Sequence, residues 1–84
     1  MRPRKLLTKL VRGDLQNTSF ADLQRLIEAF GFSLVRVRGS HHLYSHAGIP
    51  ELVNLQNVKG QAKPYQVRQF LRLVERYNLT LEAK

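Results

Sequence analysis

The stretch Arg36-Val37-Arg38-Gly39-Ser40-His41-His42-Leu43-Tyr44 holds the residue types from which phosphate chemistry is built. Histidine is the side chain whose unperturbed pKa lets it both take and give a proton near neutral pH. RNA brings its own nucleophile, the 2′-hydroxyl. A base that removes that proton lets the oxygen attack the adjacent phosphorus with no metal involved. His41 follows a Gly39-Ser40 turn and fits the role of that base. Two arginines, Arg36 and Arg38, lie on the incoming strand, and Arg38 is placed to stabilise charge building on the phosphorus oxygens. Taken alone, His41 reads as a surface turn histidine. The two arginines bring the chemical reading level with that one.

The other constellations are weaker. His42 and His46 lie four residues apart on an expected strand and share a face with Tyr44, at a period of two. Such a polar–aromatic face suits either nucleic acid or solvent. Zinc wants at least three protein ligands, and no Cys, Asp or Glu lies close to the pair, so no metal is expected there. Ser40 and His41 are adjacent, which sends their side chains apart and gives no base–nucleophile pair. The six acidic residues are scattered, and the glycines make no phosphate-loop spacing. No cofactor is expected.

Arg68, Arg72 and Arg76 recur every fourth residue near the end of the chain. On a helix they form one basic stripe about 12 Å long. Lys59 and Lys63 precede it, close to a helix N-terminus that attracts phosphate. Contacts of this kind position a protein on RNA without reading sequence. The expected RNA-contacting set is therefore Arg36, Arg38, Ser40, His42, Lys59, Lys63, Arg68 and Arg72. The stripe also fits an ordinary solvated helix face.

The whole chain has the same bias. Fourteen Lys and Arg face six Asp and Glu over 84 residues, a formal net charge of +8. Nucleic acid ranks first as the anionic partner, an acidic protein second and a membrane surface third. With 43% hydrophobic residues the chain can form a globule. The lack of cysteine favours a reducing cytoplasm. Met1–Val11 lacks the apolar run and small-residue cleavage site of a secretory leader, and no apolar run approaches the roughly 20 residues of a membrane span.

The elements that must position these residues follow from periodicity. Leu6, Leu7, Leu10 and Val11 give one stripe of a short helix over residues 4–11, ended by Gly13-Asp14. Ser19 caps a second helix that buries Phe20, Leu23, Leu26, Ile27 and Phe30, and Gly31 closes it. The period then changes to two. Phe32–Val37, His42–His46 and Leu52–Leu55 read as strands, with Ala47-Gly48-Ile49-Pro50 a turn and Gln56–Lys63 a loop. Pro64 opens a last helix lined by Val67, Phe70, Leu71, Val74 and Tyr77. The expected fold is α+β and double-stranded-RNA-binding-domain-like. A three-stranded antiparallel sheet has the helices packed on one face, plus an extra N-terminal helix. Residues 1–19 form an extension, 20–79 the domain and 80–84 a tail.

The run Leu23–Phe32, then Val35-Arg36 and Gly39-Ser40-His41-His42-Leu43-Tyr44, resembles the HicA toxins of bacterial toxin–antitoxin pairs. Val53-Asn54-Leu55, Lys63-Pro64 and Val67–Leu71 fit the same pattern, so the resemblance covers about residues 20–79. It implies a double-stranded-RNA-binding-like fold and the toxin half of a type II toxin–antitoxin system. It implies an endoribonuclease that cleaves mRNA with the histidine of the Gly-Ser-His motif, here His41, and so inhibits translation and growth. The implied partner is a HicB-type antitoxin, which should offer acidic groups to a +8 surface. Two departures stand out. Residues 1–19 are additional, and fit a structural cap better than an RNA surface. The third strand reads Val53-Asn54-Leu55-Gln56-Asn57 where many such toxins carry Pro and His, so no second histidine transfers. A non-catalytic RNA-binding module on the same scaffold is the alternative.

Overall fold

The structure is a computed structural model, and it describes residues 1–81. Helix α1 (Pro3–Val11) begins with proline in its first turn, where the missing N–H goes unused. Its buried residues are Leu6 and Leu10. Helix α2 (Phe20–Ala29) is capped by Ser19, whose side chain accepts a hydrogen bond from the Asp22 N–H at 3.3 Å. It buries Phe20, Leu23, Leu26 and Ile27. The chain then turns at Gly31, whose φ of +95° is cheap only without a Cβ. Leu6 and Leu10 share one core cluster with the α2 residues, so α1 packs as part of the globule.

The sheet has four antiparallel strands in the order β1 (Ser33–Arg38), β2 (His41–His46), β3 (Ile49–Val58) and β4 (Gln61–Ala62). The sequence led us to expect three. β3 runs longer at both ends, and the expected loop after it is a hairpin. Lys59 and Gly60 both take positive φ, +52° and +82°, the signature of a two-residue type I′ turn. The Asn57 side-chain oxygen accepts from the Gly60 N–H at 2.7 Å and holds that turn. Pro50 is tolerated inside β3 because β4 pairs only with Asn57 and Val58, which leaves β3 an edge at Pro50.

β1 carries one surplus residue. Leu34 pairs with Tyr44 but Arg36 pairs with Leu43, so Val35 bulges between them. Helix α3 (Pro64–Arg76) buries Val67 and Phe70. Phe70 meets Phe30 and Phe32 edge-on, at 5.6 and 5.7 Å between ring centroids. All the helices lie on one face of the sheet, over Tyr44, Val53 and Leu55. Among the described residues nothing covers the opposite face. The architecture is α+β and matches a double-stranded-RNA-binding-like fold with helices on one side.

Candidate active site

Gly39 and Ser40 make a two-residue turn between β1 and β2, with Gly39 at φ +59°. Glycine at the first central position suits the type II′ turn that joins twisted strands. The register places Arg38, His41 and Gln56 in one row, and Arg36, Leu43 and Asn54 in the next. Paired residues share a face, and Tyr44 takes the helix-covered one. His41 and Leu43, of opposite parity, therefore stand on the uncovered face. Arg36, Arg38, His41, Leu43 and Asn54 line a shallow hollow of about 340 Å³ there.

His41 is exposed, and its ring Nδ1 lies 3.3 Å from Asn54 Oδ1. Gln56 sits directly across from His41 but is engaged elsewhere. Its Nε2 reaches Ser40 Oγ at 3.4 Å, and its backbone N–H donates to the buried Gln66 side-chain oxygen at 2.8 Å. Among the described residues no carboxylate lines the hollow. Among the described residues neither Arg36 nor Arg38 forms a salt bridge, so both guanidiniums face solvent without a protein counter-ion. The hollow is a cationic floor with one titratable ring and one amide. It can attract a phosphodiester and exchange a proton with a hydroxyl beside it.

The other sequence-predicted residues lie elsewhere. The face shared by His42, Tyr44 and His46 was expected to meet nucleic acid or solvent, and it meets the helices instead. Tyr44 is wholly buried, with its hydroxyl accepting from Gln24 Nε2 at 2.8 Å. His42 is half-buried and edge-on to Phe20, 4.7 Å between centroids, so it does not join the hollow. His46 packs on Phe32 in the same way at 5.0 Å, and its Nδ1 accepts from the Gly48 N–H. The helices need an aromatic floor, and these three rings supply it. Ser40 is half-buried beside Gln56. Lys59 stands in the β3–β4 turn, and Lys63 is the N-cap residue of α3.

Arg68 and Arg72 are exposed on α3 and border a groove against Leu7, Leu10 and Val11 of α1. That groove lies in the helix layer, on the far side of the sheet from His41. Arg76 leaves the expected basic stripe, because it pairs with Glu51 Oε2 at 3.0 Å. Tyr77 donates to the same carboxylate, and this hydrogen bond is the main reason the Glu51 carboxyl sits below its usual range; Arg76 adds to it. Asn54 and Leu43 were not among the expected site residues. Only the parity of His41 and its cross-strand register identify them, and register is not written in either strand alone.

The family model for the HicA toxin of bacterial toxin–antitoxin pairs matches residues 20–75, most of the chain. This chain belongs to the HicA toxin family. No curated protein and no solved structure matches it. The HicA match opens at the first residue of α2 and runs to the last turn of α3, so α1 lies outside it. Membership makes the chain the toxin component of a toxin–antitoxin pair, with an antitoxin as its kind of partner. Among the described residues of this HicA chain, no three His, Cys, Asp or Glu converge into a group that could hold a metal. No helix among them is long and apolar enough to cross a membrane.

Proposed function

We propose that this HicA-family toxin is a cytoplasmic endoribonuclease that cleaves mRNA, with His41 as the proton acceptor. The observation that supports this reading best is the hollow itself. Among the described residues it brings an exposed imidazole, two guanidiniums without ion-pair partners and no carboxylate together on the sheet face that the helices leave open. The ring takes the proton of a ribose 2′-hydroxyl. The freed oxygen bonds to the adjacent phosphorus, and the bond from phosphorus to the 5′-oxygen breaks. Water protonates the departing 5′-oxygen. The products are a 2′,3′-cyclic phosphate and a 5′-hydroxyl. Arg36 and Arg38 stabilise the extra negative charge on the phosphorus oxygens in between. No cofactor enters, because the nucleophile belongs to the substrate. Ser40, at the turn, keeps the strand ends in place beside Gln56. A HicB-type antitoxin inhibits by laying acidic groups over this cationic face.

Lys59, Lys63, Arg68 and Arg72 serve affinity. They lie outside the hollow, so they hold RNA by its backbone and do not meet the reacting phosphate. The test is cleavage of a long RNA by the purified chain in the presence of a chelator. His41→Ala should lower the rate by about 10²–10⁴-fold, the usual worth of one general base. Its RNA affinity and melting temperature should stay close to wild type. Undiminished cleavage by a folded His41→Ala protein overturns the proposal. RNA bound in a salt-sensitive way but left intact by the wild type would make the chain a binding module instead.

A further inference from the structure

A histidine acts as a base through one nitrogen only, and the state of that nitrogen is set by what the other one meets. In the hollow, the side chains beside His41 are Arg36, Arg38, Leu43 and Asn54. Guanidiniums only donate and leucine does neither, so among the described residues lining the hollow Asn54 supplies the side-chain acceptor. Diagonal neighbours on an antiparallel pair lie about 7–8 Å apart at the backbone, within reach of a ring and an amide. Asn54 is diagonal to His41 in the register, and its Oδ1 does reach His41 Nδ1, at 3.3 Å. The side chain of the residue directly opposite, Gln56, turns its amide nitrogen to Ser40 Oγ, at 3.4 Å. The ring is thus left to Asn54.

We propose that Asn54 is the positioning residue for His41. Its amide oxygen accepts from Nδ1–H, fixes that tautomer and leaves the Nε2 lone pair turned to the substrate. This rests on the reading of His41 as the proton acceptor. After proton transfer both ring nitrogens carry hydrogen, and Nδ1–H still donates to Asn54. A carboxylate at the same place would orient the ring equally well, but it would put a negative charge where a phosphodiester must enter. The uncharged amide orients without that repulsion.

The test uses the full chain labelled with ¹⁵N, comparing wild type with Asn54→Leu, Asn54→Ala and Asn54→Asp. Two-bond ¹H–¹⁵N spectra read the His41 tautomer directly, and single-turnover cleavage reads its effect. Wild type should show Nδ1–H. Asn54→Leu and Asn54→Ala should shift the ring to Nε2–H, and their cleavage should fall about tenfold at unchanged RNA affinity, the scale of one hydrogen bond. Asn54→Asp should keep Nδ1–H, weaken RNA binding and move the acidic limb of the pH–rate profile upward. The charged groups facing the ring are Arg36 and Arg38 from β1, while β3 offers only Asn54 and Gln56. An unchanged tautomer in both Asn54→Leu and Asn54→Ala, with His41→Ala inactive, overturns the role of Asn54 alone. Full cleavage by His41→Ala overturns the ribonuclease reading and leaves the tautomer result standing.

Discussion

His41 and His42 are consecutive in β2 and end on opposite sides of the sheet. His42 lies under the helices, edge-on to Phe20, in the company of the fully buried Tyr44. His41 lies in the open, beside two unpaired arginines and one amide. The helix-covered face holds the fold together, and the bare face keeps its charged groups free to meet a partner. One imidazole is an aromatic packing unit, and the other is the exposed ring to which we assign proton transfer. Residue type does not decide between these roles; what covers the face does.

Substitutions on the two faces should therefore fail in different ways. The largest loss of stability is expected at Tyr44→Ala. Emptying so large a buried site costs about 3–5 kcal/mol, enough to unfold much of a domain this size. Urea titration measures it, and a near-wild-type midpoint would break the contrast between the faces. His42→Ala should cost less, about 1 kcal/mol, for one edge-on ring contact on Phe20. Its cleavage rate per folded molecule should match wild type, and a His41-like collapse in rate would place His42 in the reaction after all.

The smallest effect is expected at Glu51, on the rim of the covered face. Its carboxyl is held below the usual range, chiefly by the Tyr77 hydroxyl. A depressed carboxylate stabilises the fold above the unfolded value, and that contribution disappears as pH falls through the folded value. Wild type should therefore lose more thermal stability than Glu51→Gln between neutral pH and about pH 3. Parallel melting curves for the two proteins would remove the Glu51–Tyr77 pair from the account.

Much of this was legible in the chain. The Ser19 cap, the Phe20–Ile27 stripe and the Gly31 stop are local signals, and the structure repeats them. The turn at Gly39-Ser40 was legible for the same reason. Strand β3 was read too short, because the polar Gln56-Asn57 look like loop until β2 and β4 pair with them, and Pro50 falls in the irregular part of the β2–β3 register. The hidden fourth strand depends on Lys59 accepting a positive φ, which its side chain does not advertise. For the site, His41, Arg36 and Arg38 could be named from their types. Asn54 could not, because its place beside the ring comes from a partner strand thirteen residues away. Nor could the sequence say which parity of β2 faces the helices. Leu43 is the more apolar choice, yet Tyr44 is taken, with Gln24 meeting its hydroxyl.

Val35 settles a question of phase. Carried on evenly from Leu34 opposite Tyr44, the ladder would set Arg36 against His42 and leave three residues to close the hairpin. The Arg36 guanidinium would then be pushed under the helices, among Phe20 and Tyr44, and Arg38 would fall into the widened turn. Absorbing one residue as a bulge shifts the frame, so that Arg36 meets Leu43 and Arg38 meets His41. A single bulged valine thus keeps the positive charge of the hairpin on the outside.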